Sequence, residues 1–218
     1  MNRKLMIVIA LLSILTVSQV FAQSKSRFGV KAGLNISMMT RTIYNNSVDL
    51  GAHVGFHAGF TSEIPLIANL YFNPGLFFSS KGYRTTIEVP GLTTKTTVNP
   101  YFVEIPLHIM FKLPISSSAI FAYTGPYFSY GIAGNRIVKT NSTILGDDRD
   151  KRKLNFGSDS GCDMKPFDMG LNVGAGFEVK HFQLSVQYGI GFLNLTPIYP
   201  ENNSLRMNVL SVSAAYLF

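Results

Sequence analysis

The chain has 218 residues, a formal charge of +7, one cysteine and no tryptophan. That length suits one domain or two small ones, and a lone cysteine excludes an internal disulfide framework. No basic stripe interleaves with aromatic residues, so nucleic acid is not an expected partner.

The first predicted element is a targeting segment. Arg3 and Lys4 precede an apolar run from Leu5 to Val17, and Val20-Phe21-Ala22 supplies small residues for cleavage after Ala22. Residues 1–22 are therefore expected to be a cleaved signal peptide, leaving a domain over 23–218 with a charge of +5. A membrane anchor is the competing reading, opposed by a run that is short for a span and interrupted by Ser18 and Gln19. After Ala22 no run approaches the roughly 18 apolar residues of a helical span. The chain is nevertheless apolar and rich in Phe (17), Tyr (10) and Gly (19), a balance that suits an exported membrane barrel.

Eight segments then alternate apolar and polar residues with period two, which a helix would not keep. The first is Arg27 to Met38, with Phe28, Val30, Ala32, Leu34 and Ile36 on one face and Lys31, Gly33 and Asn35 on the other. The second is Gly51 to Ser62, where Val54, Phe56 and Phe60 oppose His53, His57 and Gly59. The third, Asn69 to Gly82, sets Leu70, Phe72, Leu76 and Phe78 against Asn73, Gly75, Ser79 and Lys81. The fourth, Pro100 to Lys112, sets Val103, Ile105, Leu107 and Ile109 against Glu104, Pro106 and His108.

The fifth, Ala119 to Ile132, has aromatics on both faces. The phase that keeps Gly125, Ser129 and Gly131 inside also puts Tyr123 and Tyr127 there. The sixth, Phe167 to Val179, is the clearest, with Asp168, Gly170, Asn172, Gly174, Gly176 and Glu178 in its polar phase. The seventh is Phe182 to Asn194. The eighth, Asn208 to Phe218, points Leu210, Val212, Ala214, Tyr216 and Phe218 one way and Ser211 and Ser213 the other.

The polar phase separates a sandwich from a barrel. A sandwich turns its polar face to water, where large charged residues should dominate. Here that face is mostly Gly, Ser, Asn and Thr, with isolated Lys31, Glu104, Asp168 and Glu178. Such residues suit the crowded lumen of an eight-stranded barrel. The opposite face suits lipid, which demands closure because unpaired backbone groups are costly there.

Connection lengths agree with this reading. The links at 39–50, 83–99, 133–166 and 195–207 are long, and those at 63–68, 113–118 and 180–181 are short. Long outer loops and short periplasmic turns, with both ends periplasmic, predict an even strand number. The expected fold is all-β: an eight-stranded antiparallel up-and-down transmembrane β-barrel in the outer membrane.

Gly29-Val30-Lys31-Ala32-Gly33-Leu34-Asn35, Tyr101-Phe102-Val103-Glu104-Ile105-Pro106-Leu107, Gly125-Pro126-Tyr127 and the aromatic last strand resemble PorT-like outer-membrane β-barrel proteins of Bacteroidetes. The resemblance covers essentially all of 23–218 and marks the barrel type. It implies an outer-membrane barrel, loosely described as porin-like, whose namesake is linked to the type IX secretion route.

Candidate chemistry is sparse. Lys31, His57, Glu104, His108, Asp168 and Glu178 are expected to form a polar lumen network, since buried charges need partners. His57, His108 and Glu104 could alternatively meet across a narrow lumen as a hydrolytic set. His53 and His57 would lie about 13 Å apart on a strand, which makes them poor joint metal ligands. Gly174-Ala175-Gly176 and Gly189-Ile190-Gly191 lie inside strands, with no helix to complete a phosphate loop. No catalytic, metal or cofactor residue is assigned.

The longest link holds Asp147, Asp148, Arg149, Asp150, Lys151, Arg152 and Lys153, then Cys162. It is expected to be a solvated surface loop that could serve as an epitope for another protein or for lipopolysaccharide. Tyr216 and Phe218 are expected to carry the signal read by the barrel-insertion machinery. The favoured function is a non-enzymatic scaffold presenting outer loops, with a partner-binding or secretion-accessory role. The alternatives are a narrow channel for ions or small solutes, and a lumen-sited hydrolase.

Overall fold

The structure is a computed structural model that describes residues 26–43, 46–142, 146–159, 161–197 and 203–218. The expected signal peptide over 1–22 lies outside the described residues. Eleven strands form in chain order: β1 (Arg27–Ile43), β2 (Asn46–Asp49), β3 (His53–Ile67), β4 (Leu70–Ser80), β5 (Tyr83–Val89), β6 (Leu92–Ile115), β7 (Ser118–Ser142), β8 (Gly146–Lys153), β9 (Phe167–Val179), β10 (Phe182–Gly191) and β11 (Asn203–Leu217).

Eight of these close a ring in the order β1, β3, β4, β6, β7, β9, β10, β11, with neighbours antiparallel. The closing seam pairs β1 with β11 from Gly29↔Leu217 to Ile43↔Asn203. Closure leaves no unpaired ladder facing lipid. The exterior carries the apolar phase: Phe28, Val54, Phe60, Ile105, Val173 and Phe182 are all exposed. Ser37, Asn35, Asp168 and Asn172 are buried inside. Apolar outside and polar inside is the reverse of a water-soluble domain, and fits a barrel solvated by lipid.

The two ends of the ring differ. At one end β3–β4, β6–β7 and β9–β10 are joined by two-residue turns, at 68–69, 116–117 and 180–181. The first residue of each (Ala68, Ser116, Lys180) has φ between +40° and +57°, the left-handed backbone that short hairpins require. At this turn end Phe182 packs edge-on against Tyr216, and Tyr216 against Phe218. Together they form part of an interfacial aromatic girdle.

At the other end the strands continue past the apolar belt. The links read from the sequence as loops at 39–50, 83–99, 133–166 and 195–207 hold β2, β5, the upper halves of β6 and β7, β8 and the start of β11. β5 pairs with β6 from Tyr83↔Val98 to Val89↔Leu92, and β6 with β7 up to Leu92↔Ser142. β8 pairs with β7 from Asn135↔Lys153 to Ser142↔Gly146. The result is a four-stranded sheet, β5-β6-β7-β8, rising from one side of the barrel.

Asp147, Asp148, Arg149, Asp150, Lys151, Arg152 and Lys153 are therefore an edge strand, a correction of the expected loop. Its physical cause is solvent: above the belt both faces meet water, so pairing persists without an apolar alternation. Cys162 lies beyond β8 in a half-buried turn, its N–H donating to the Asp159 carbonyl at 3.0 Å.

A bulge fixes how this sheet faces. Tyr101 pairs with Ala133, but Phe102 pairs with Gly131, so Ile132 is an extra residue in β7. Below it the even-numbered β7 residues face lipid; above it the odd-numbered ones face out. Ile132 and Ala133 are accordingly both exposed, between buried Gly131 and Gly134.

Candidate functional site

The lumen is built in tiers, each from residues that the pleat turns inward. At the extension end it is capped by apolar side chains. Met39, Phe102, Met164, Leu195, Leu205, Met207 and Val209 are buried together, with Leu50, Tyr83 and Phe156 packed against them. Met164 and Leu195 come from the connections after β8 and β10, so these segments fold over the lumen mouth.

Beneath the cap is a hydrogen-bonded tier centred on Asn35 of β1. Its Nδ2 donates to the Phe56 carbonyl (3.1 Å), Ser79 Oγ (3.0 Å) and the Ser80 carbonyl (3.2 Å). Its Oδ1 accepts from Ser211 Oγ at 2.8 Å and from His57 Nδ1 at 2.8 Å. His57 Nε2 shares a 2.9 Å hydrogen bond with Ser213 Oγ. Both ring nitrogens of His57 are thus engaged.

The charged groups of the middle tier are paired or packed on rings. Lys81 forms an ion pair with Glu104, and its Nζ lies 4.8 Å from the Tyr127 ring centroid. The Tyr127 hydroxyl donates to Asp168 Oδ2 at 3.1 Å. His108 stacks on Tyr123 at 4.8 Å and accepts from Asn172 Nδ2 at 3.1 Å. Lys31 Nζ lies 5.4 Å from the Tyr123 ring centroid and 6.0 Å from that of Phe77, a geometry that favours a cation. The space left between this tier and the one above is a cavity of about 30 Å³, bounded by Lys31, Asn35, His57, Glu104, His108 and Tyr127 among others, room for about one or two water molecules.

The turn end is bolted by ions. Lys112 Nζ lies 2.6 Å from Glu63 and 2.6 Å from Glu178. Arg27 contacts the same two carboxylates at 2.5 and 2.7 Å. Gln183 Nε2 donates to both at 2.7 Å. Two cations and two carboxylates balance, and the amide satisfies further lone pairs, as a buried ionic cluster requires.

Lys31, His57, Glu104, His108, Asp168 and Glu178 all face this lumen, in different tiers. His57, His108 and Glu104 line one cavity together with Lys31, but each is engaged elsewhere: their hydrogen-bond and ion-pair partners are Asn35 and Ser213, Asn172, and Lys81 respectively. Sequence reasoning missed Glu63, which lay in an expected turn, and gave no role to Arg27, Lys81 or Gln183. Their polar phase was visible, but partners such as Arg27 and Glu178 are 151 residues apart. Among the described residues no group of three or more His, Cys, Asp or Glu could hold a metal ion.

A closed ring of eight strands, an apolar outer belt and a filled polar lumen define an integral outer-membrane β-barrel. Residues 21–196 match the family model described as "Outer membrane protein beta-barrel domain", and the chain belongs to that family. No curated protein shows a significant sequence match. Among solved structures, OprG of Pseudomonas aeruginosa is similar over 89% of this chain and 97% of its own, at 10% identity and a TM-score of 0.46. Ail of Yersinia pestis, solved with the heparin analogue sucrose octasulfate, is similar over 89% of this chain and 99% of its own, at 12% identity and a TM-score of 0.40. Neisserial surface protein A covers the same shares at 12% identity and a TM-score of 0.39. These likenesses concern the fold alone.

Proposed function

We propose that the protein is a non-enzymatic outer-membrane scaffold: a sealed barrel that holds the β5-β6-β7-β8 sheet on the outer side for contact with another protein. The observation that carries this reading is the contrast between the ends. Between the apolar cap and the ion bolt the lumen leaves a cavity of only about 30 Å³, and a wider pocket of about 340 Å³ is confined to the turn end beside Arg27, Lys112 and Glu178, whereas the strands run on beyond the belt into water. A channel would need both closures to part. A lumen hydrolase would need His57, His108 or Glu104 released from its partners.

The two-residue turns belong on the periplasmic side, which puts Arg27 and Phe218 there and the extension outside. At the tip of the β5–β6 hairpin, Ile87, Val89 and Leu92 are exposed to water. An apolar tip held clear of lipid by a rigid sheet fits a protein contact. The PorT-like motifs make a secretion-accessory partner the first to examine.

The test is a photo-crosslinking residue placed at Ile87 or Val89 in intact cells, with Ser117 in a turn as the control position. A discrete adduct from the tip and none from the turn is expected. No adduct from the tip, or adducts only from Ser117, would overturn the reading.

A further inference from the structure

In chain order the charges of β8 look mixed, but the pleat sorts them. Asp148, Asp150 and Arg152 fall on the inner face of the extension, where Arg152 pairs with Asp163 at 2.8 Å. Arg149, Lys151 and Lys153 fall on the outer face. Register adds cations from neighbouring strands. One row across the sheet is Thr86, Lys95, Lys139, Arg149; the row below is Arg84, Thr97, Ile137, Lys151; the next holds Asn99, Asn135 and Lys153. Arg84, Lys95, Lys139, Arg149, Lys151 and Lys153 are all exposed. None of them takes part in an ion pair among the described residues. The carboxylates in this phase are Glu88 and, by register, Asp147, both toward the tip.

Lys95, Lys139 and Arg149 stand directly opposite one another on three adjacent strands. Like charges so placed repel, and a bound polyanion would remove the penalty. The position of the face says which polyanion. The bulge at Ile132 keeps it continuous with the lipid-facing surface. Along β6 the outward residues run Ile105, Val103, Tyr101, Asn99, Thr97, Lys95, the order of acyl chain, interface and headgroup. Lys95 is six residues beyond Tyr101, roughly 20 Å along the strand and about 15 Å along the membrane normal at usual barrel tilts. The lower row of Lys153 lies only about 5 Å above Tyr101 on the same measure. Arg206 of β11 is likewise exposed, opposite Thr40.

We propose that this face binds the phosphate groups of outer-leaflet lipopolysaccharide, which clamps the extension upright beside the barrel. The inference rests on the reading that the extension lies outside the cell. Protease access to β8 in intact cells tests that reading separately, and binding in detergent does not depend on it.

The experiment titrates purified protein in detergent micelles with lipopolysaccharide, with the same material after enzymatic dephosphorylation, and with heparin. The Lys95→Gln, Lys139→Gln, Arg149→Gln triple variant is compared with the wild type. Binding of intact lipopolysaccharide is expected, weakened at least about tenfold by dephosphorylation and likewise by the triple variant. Equal binding of the dephosphorylated form would overturn the proposal. So would wild-type affinity in a folded triple variant, or a preference for heparin over lipopolysaccharide, which would point to a soluble polyanion. If the triple variant does not fold, the dephosphorylation arm decides the question with wild-type protein alone.

Discussion

Lys112 reaches across the turn end of the lumen and holds two carboxylates at once, with Nζ 2.6 Å from Glu63 and 2.6 Å from Glu178. Glu63 lies in β3 and Glu178 near the end of β9, so one ammonium ties opposite sides of the ring. Removing one partner leaves buried charge uncompensated. Glu63→Gln would set Arg27 and Lys112 against Glu178 alone and is predicted to cost about 3–5 kcal/mol, read as a lower denaturant midpoint in folded protein. Adding Lys112→Met should recover part of that loss, because the two changes share one network.

Gly33 marks a tight point of the seam. A Cβ there would lie 2.2 Å from the Val212 carbonyl oxygen, 2.7 Å from His57 Cε1 and 2.8 Å from Ser213 Cα. Two of these are backbone atoms of the closing strand and cannot swing aside. Gly33→Val is predicted to lower the yield of closed barrel, seen as loss of the heat-modifiable band on a gel. A wild-type yield would show that the seam is looser than described.

The strand character of the extension is open to hydrogen exchange. Thr96 has paired strands on both sides, and so does Val138. Their amides are predicted to exchange far more slowly than that of Ser117 in a turn. Rapid exchange at Thr96 and Val138 would restore the long loops first expected from the sequence.

That contrast also explains what the sequence could reveal. Phe167–Val179 was legible to the residue because lipid on one side and a crowded lumen on the other impose a strict alternation. The run Thr93-Thr94-Lys95-Thr96-Thr97 has the β-branched residues of a strand, but water on its outer face erased the apolar signal. Tyr123 and Tyr127 were placed inside by phase, and they are buried there. The pairing of Lys81 with Glu104 depended on β4 and β6 lying side by side, and that of Lys112 with Glu63 on β6 and β3 flanking β4. Period two carries no such information.

Phe218 combines two contacts at the turn end: its N–H donates to the Phe28 carbonyl at 2.7 Å, and its ring packs on Tyr216 at 5.7 Å. If Tyr216 and Phe218 are read by the insertion machinery, Phe218→Ala should reduce the inserted fraction in cells more than Phe182→Ala does. Phe182 is a fair control, since the two rings are comparably exposed, 67% and 64%. Equal losses would reduce Phe218 to one more lipid-facing aromatic.

In the function proposed here the barrel is sealed and the extension makes the contacts. Conductance of the purified wild-type protein in planar bilayers tests this most directly. A sealed barrel leaves the membrane silent, without discrete steps. Reproducible steps whose size changes when Lys31 is replaced by Glu would contradict it, since only a conducting lumen would feel that charge.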